Sequence, residues 1–167
     1  MIALGIDPGT IKTGYGVVRK DGGRLVRLAS GTIRLDTGID VEDRLVPLRD
    51  ALDEVITSTG PDEAAVESLF FSKNAMSALK LGHARGVIVL TLKSRGLPVA
   101  SYPPALVKRS IVGQGRAQKG QVQKVVKAIL GLEETPEEDE ADALAIAICH
   151  LNAPAQLAPT CGGRRRG

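Results

Sequence analysis

The chain opens on a short apolar alternation: Ile2, Leu4 and Ile6 are interleaved with Ala3 and Gly5. That period predicts a short buried strand ending at Asp7. The following Pro8-Gly9-Thr10 is turn chemistry. Residues 14–19 read as a second strand, with Gly14 and Gly16 allowing close backbone approach. Asp21-Gly22-Gly23 is a hairpin signal, and a third strand follows over residues 25–35. Val41, Leu45, Leu48, Leu52, Val55 and Ile56 then recur at helical spacing. Pro47 falls inside that stripe, where proline costs ~3 kcal/mol, so a kink or a start near it is expected. Gly60-Pro61 ends the helix. Residues 64–67 form a short fourth strand, Asn74 caps a long helix to about Arg95, Gly96 terminates it, and 97–102 form a fifth strand. Between 102 and 120 the pattern predicts no element. Residues 120–130 and 137–152 read as the last helices. Gly82 and Gly86 permit close packing on the long helix, by another element or another subunit.

Three hairpin-linked strands at the start argue against a Rossmann arrangement, which would place a helix after the first strand. The order instead predicts an α/β protein with a mixed five-stranded sheet, antiparallel at first and parallel later, with helices on both faces. A length of 167 residues suits one domain, assigned to 1–153. Residues 154–167, rich in Pro, Gly and Arg, are expected to be a disordered tail.

Only four aromatics occur, Tyr15, Phe70, Phe71 and Tyr102, with no Trp, so the core must be aliphatic. No apolar run approaches the roughly 18–20 residues of a membrane span. The opening MIALGID lacks a basic stretch and a cleavage signal, so no secretory leader is expected. Cys149 and Cys161 share no metal-like spacing with His83 or His150 and read as free thiols of a reducing compartment, a bacterial-type cytosol. His83, His150, Tyr15 and Tyr102 read as structural residues.

Charge changes the picture more than composition does. The net charge of +3 is supplied by Arg164, Arg165 and Arg166 alone. Residues 68–132 carry eleven Lys or Arg and no acid, whereas 133–142 carry seven acids and no base. A stretch of that length without an acid points to a surface for a polyanion.

Four acids stand out by position. Asp7 and Glu67 end strands, and Asp139 and Asp142 are three apart on one helix face. If the first and fourth strands are neighbours, all four can meet. Converging carboxylates repel unless hard cations neutralise them, and two such ions suit phosphodiester hydrolysis. Asp142 lies in the apolar stripe Ala141, Leu144, Ala145, Ile148, where an unpaired acid is expensive. Glu133, Glu134, Glu137 and Glu138 are explained by the helix dipole.

With these residues in view, the sequence resembles the RuvC family of Holliday junction resolvases, which has a ribonuclease H-like fold. The resemblance runs over about residues 1–152. It is carried by Ile6-Asp7-Pro8-Gly9-Thr10 with Gly14-Tyr15-Gly16, by Glu67-Ser68-Leu69-Phe70, and by Lys73-Asn74 with Ala78 to Gly82 and Ala84-Arg85-Gly86. Val107-Lys108, Val112 to Gly115, Ala117-Gln118-Lys119 and Asp139 to Ala145 complete it. It implies that Asp7, Glu67, Asp139 and Asp142 are the catalytic, metal-binding set for two Mg²⁺ or Mn²⁺ ions. It implies paired nicks in four-way junction DNA by a homodimer, in recombination and repair, with RuvA and RuvB as partners. Lys108 and Lys119 match family positions for DNA contact, with Arg116 added by proximity. Phe70 matches an aromatic that stacks on an unpaired base, whereas Phe71 reads as core. Lys124 and Lys127 read as solvated.

Two other readings stay open on the residues alone. Asp7-Pro8-Gly9-Thr10 with Gly14-Tyr15-Gly16 also suits the phosphate loop of an actin-like ATPase, although 167 residues leave no room for the usual two domains. A junction-binding module that does not cut is the third, and the presence of all four acids speaks against it.

Overall fold

A computed structural model describes residues 1–68, 74–113 and 120–153. Strands β1 (Ile2–Asp7), β2 (Lys12–Asp21) and β3 (Arg24–Arg34) lead to helix α1 (Val41–Thr59). Strand β4 (Glu63–Glu67), helix α2 (Ala75–Ser94) and strand β5 (Val99–Tyr102) follow, then helices α3 (Pro104–Val112), α4 (Gln121–Leu130) and α5 (Glu138–Asn152). The sheet order is β3-β2-β1-β4-β5. β1, β2 and β3 pair antiparallel, and β4 joins β1 and β5 in parallel. The expected mixed sheet is therefore observed, with the first and fourth strands adjacent.

Alternation along the strands splits the core into two layers. Leu4, Ile6, Val17, Ala64 and Val66 pack with Leu48, Leu52 and Ile56 of α1 and Ala84, Ile88 and Leu92 of α2. Ala3, Val18, Ala65, Ala100 and Tyr102 meet Val107 of α3, Val122 and Val126 of α4, and the apolar length of α5. Helices thus cover both faces, and the largest fully buried side chains are aliphatic apart from Tyr102.

Three expectations need correction. The stretch between 102 and 120 does contain an element, α3. Its Pro104 stands at the first helical position, where a missing N–H costs nothing, and Gly113 closes it at φ 76°. Second, α1 does not start near Pro47: it begins at Val41 and continues to Thr59. Pro47 and Asp43 are exposed, so the carbonyl that loses its helical partner faces water. Third, a side chain at Gly82 or Gly86 would meet nothing within 4 Å, so no described element of this chain packs on them.

His150 and Tyr102 are structural, as expected. His150 is buried on α5, with Nδ1 2.9 Å from the Tyr102 hydroxyl and Nε2 2.8 Å from Glu63 Oε2. Burial pushes the Tyr102 hydroxyl up to about 12. Cys149 is a buried free thiol. Residues 154–167 lie outside the described residues.

Candidate active site

Asp7 is the last residue of β1 and Glu67 the last of β4. The strands are parallel neighbours, with Ile6 opposite Val66, so their carboxyl ends point to the same edge of the sheet. That edge is where open α/β sheets place their ligands. Beyond Asp7 the turn is tied by Thr13, which is fully buried. Its hydroxyl donates to the Gly9 carbonyl at 3.0 Å and accepts from the Gly9 N–H at 3.2 Å.

Glycines bring α5 to this edge. Gly14 is the register partner of Asp7. A side chain at Gly14 would run into the Asp139 carbonyl, and one at Gly5 into the Ala143 carbonyl. At Gly16 it would come within 2.8 Å of the Leu144 Cα. The bare backbone of β1 and β2 therefore lets α5 lie against the sheet with Asp139 and Asp142 beside Asp7. The start of α5 is secured by a capping box between Glu137 and Glu140. Both also reach β3: Glu140 accepts from the Ser30 hydroxyl at 2.6 Å, and Glu137 pairs with Arg34 at 2.6 Å.

The electrostatics follow from this packing. Burial, followed by the charges of Glu67, Asp142 and Asp139, pushes the Asp7 carboxyl up to about 8, and a hydrogen bond to Glu67 adds to the rise. Glu67 is raised by burial and by Asp142, while Lys108 and the Asp7 hydrogen bond pull it down. Asp142 is raised by burial, with Lys108 opposing and Glu138 and Asp139 adding to the rise. Between Ala141 and Leu151, Asp142 alone is not fully buried. The apolar stripe thus runs past an acid turned to the rim of the core.

Lys108 is half-buried on α3 and lines a narrow cleft with Glu67, Asp142 and apolar Val107, Val122 and Ala145. The unanticipated helix is what sets this cation among the acids. Roomier cavities of about 520, 520 and 570 Å³ are lined by none of the four acids. A polymer lying across an open edge needs no enclosed cavity. Phe70, Arg116 and Lys119 lie outside the described residues. Lys124 is exposed, and Lys127 donates to the Glu133 carbonyl at 2.7 Å.

Sequence comparison sets this arrangement in a family. The family model for crossover junction endodeoxyribonuclease RuvC matches residues 3–150. The chain belongs to the RuvC family. It is 54% identical over 153 residues to the RuvC of Sorangium cellulosum, covering 92% of this chain and 86% of that one. It is 47% identical to the RuvC of Saccharophagus degradans, covering 99% of this chain and 97% of that one. Among solved structures it is similar to T. thermophilus RuvC in complex with Holliday junction substrate. That match has a TM-score of 0.84 and 35% identity, covering 90% of this chain and 93% of that one. A yeast mitochondrial Holliday junction resolvase, Ydc2, shares the fold at a TM-score of 0.53 and 16% identity. The ribonuclease H-like class expected from the sequence therefore holds.

RuvC membership implies dependence on a divalent cation. The donor chemistry fits one. Asp7, Glu67, Asp139 and Asp142 offer only hard oxygen ligands, and three of them are raised by burial and by neighbouring acids. A cation at this edge would relieve that repulsion. Among the described residues, no three His, Cys, Asp or Glu side chains are gathered closely enough to hold an ion by themselves. An open set of this kind suits an ion that keeps water and phosphate oxygens in its shell.

Proposed function

We propose that this chain resolves four-way DNA junctions by hydrolysing phosphodiester bonds in two opposed strands, in recombination and repair. The observation that carries this reading is the meeting of four carboxylates from β1, β4 and α5 with Lys108 at one open edge of a RuvC fold. Asp7, Glu67, Asp139 and Asp142 are the catalytic set and would hold Mg²⁺ or Mn²⁺, two ions in all. Bound there, the cations supply Lewis acidity for the attacking water and the leaving oxygen.

The chain's own residues do the rest. Asp7 and Glu67 would hold the cations as carboxylates, the proton of their hydrogen bond passing to solvent. α5 holds Asp139 and Asp142 opposite them through its close seat on Gly5 and Gly14. Lys108 stands where it can stabilise charge developing on the phosphate. Arg116 and Lys119 contact DNA phosphates, and Phe70 stacks on an unpaired base, an interaction worth about 1–3 kcal/mol. Residues 1–153 form the nuclease domain.

A junction with two equivalent cut sites calls for two active sites related by a two-fold axis, as in a C2 dimer. The outer face of α2 supports one. Met76, Leu79 and Leu90 are 60%, 54% and 66% exposed, and open space stands over Gly82 and Gly86 on that side. A helix apolar beyond its core stripe needs a second cover. We assign this face to a homodimer. We assign RuvA and RuvB to that dimer as partners, in a bacterial cytoplasm, on the strength of family membership. Among the described residues, no helix is long and apolar enough to cross a membrane.

The test is cleavage of matched four-way, duplex and single-stranded DNA with and without Mg²⁺ or Mn²⁺. The parent chain should cut the four-way substrate alone, and only with metal. Asp7→Asn should abolish cutting while junction binding survives. Metal-dependent cutting retained by that variant overturns the reading.

A further inference from the structure

Glu67 is held from two sides of the sheet. Its side chain leaves β4 on the face of Ala65, toward α5, because alternate residues share a face. There it meets Asp7 and Asp142. Its main chain is gripped from the opposite face. Arg85, on α2, donates from Nε to the Glu67 carbonyl oxygen at 3.3 Å and from Nη2 to Ser101 Oγ at 2.9 Å. Ser101 lies opposite Val66 in the β4–β5 ladder, so one guanidinium bridges the carboxyl ends of both strands.

The carbonyl that Arg85 holds belongs to the peptide linking Glu67 to Ser68. The N–H of that same peptide donates to the Tyr102 carbonyl at 2.8 Å. Both polar groups of the unit are therefore anchored, one to a helix behind the sheet and one to the neighbouring strand. This is the last peptide before the chain leaves β4. Without the anchors, nothing in the ladder would hold its plane there, and the plane sets the direction in which the Glu67 side chain leaves the strand.

Arg85 acts through position and not through charge. The cation that lowers the Glu67 carboxyl is Lys108, on the other face. A planar fork can serve two separate acceptors from one side chain, whereas a lysine ammonium is a point donor on a flexible stem.

We infer that Arg85 is the positioning residue for Glu67, fixing the Glu67–Ser68 peptide and so the approach of the carboxylate to the reacting phosphate. The inference rests on the proposed catalytic role of Glu67.

The test compares Arg85→Ala, Arg85→Lys and Glu67→Gln with the parent chain. Three quantities are measured: junction affinity without divalent cation, melting temperature, and single-turnover cleavage with junction and Mg²⁺ saturating. Residues that orient metal-binding side chains typically contribute about 10–100-fold. Arg85→Ala should lose cleavage rate in that range at unchanged junction affinity. Arg85→Lys should recover part of the rate, and guanidinium ion added to Arg85→Ala should raise it above a matched sodium chloride control. Parental cleavage by Arg85→Ala beside a dead Glu67→Gln overturns the inference alone. So does a loss of rate that tracks a loss of junction affinity, or one that neither Lys nor guanidinium relieves. Parental cleavage by Glu67→Gln overturns the role of Glu67 and the inference with it. If Arg85→Ala fails to fold, Ser101→Ala, which removes the second acceptor that orients the Arg85 guanidinium, decides the matter. Slower cleavage at unchanged affinity sustains the inference, and the parental rate overturns it.

Discussion

Asp7 keeps a proton in the folded chain that it would lose on unfolding, and that difference is measurable without DNA. Its carboxyl rises from 3.8 to about 8 through burial and the nearby acids. Between those values the folded state binds more protons than the unfolded one, so stability falls as pH rises. Below the window both states are protonated and no cost arises; above it the full cost is present. Glu67 and Asp142 are shifted in the same direction. With chelator present, the melting temperature should therefore fall as pH is raised from about 5 to about 8. Asp7→Asn should fall less and melt higher at the alkaline end, where each ~1 kcal/mol is worth about 2–4 °C for a chain of this size. Mg²⁺ or Mn²⁺ should restore the parent at that pH. A profile that is flat, or the same in Asp7→Asn, would show that the acids do not strain the metal-free site.

At the level of elements, the site depends on how closely α5 approaches β1 and β2. Gly14 is the critical position, since it faces the Asp139 main chain and pairs with Asp7 across the ladder. Gly14→Ala pushes directly on backbone, which cannot rotate away as a side-chain tip can. Overpacking of this kind costs about 1–3 kcal/mol, and here it displaces half of the acidic set. The variant should melt lower and lose most cleavage while binding junction DNA. A Gly14→Ala chain with parental melting and cleavage would mean that α5 does not bear on β2 as described. The glycines were read from the sequence as sites of close approach. Which helix makes that approach was not, because α5 lies more than a hundred residues further along the chain.

At the scale of the whole molecule, α2 buries one apolar face and exposes apolar residues on the other. Toward the sheet, Ala84, Ile88 and Leu92 are buried. Toward solvent, Leu79 and Leu90 are exposed beside the bare backbone of Gly82 and Gly86. Leu79→Glu combined with Leu90→Glu should leave the fold intact and turn a dimer into a monomer by sedimentation. Cleavage would then yield singly nicked junctions in place of resolved duplexes. A parent chain that sediments as a monomer, or a doubly substituted one that remains a dimer, would remove α2 as the interface.

Period and punctuation along the sequence were enough to find the five strands and the two that end at Asp7 and Glu67, with the adjacency of those two left as a condition. Alternation in residues 2–7, the turn after Asp7 and the apolar run before Glu67 are local signals, and each acid is the residue at which a local pattern stops. Asp142 was legible because an acid breaks an apolar stripe. Family motifs supplied the order of these pieces. The tertiary structure alone decided what meets across them. It showed that α3 exists despite Pro103-Pro104, because a proline at the first helical turn is free of cost. It set Lys108, which the family resemblance had marked for DNA contact, half-buried beside Glu67 and Asp142. It revealed Thr13 tying the turn beyond Asp7 and Arg85 gripping the Glu67 peptide from behind the sheet. Those roles depend on which faces of distant segments come together. Packing of the whole chain settles that, and no local pattern encodes it.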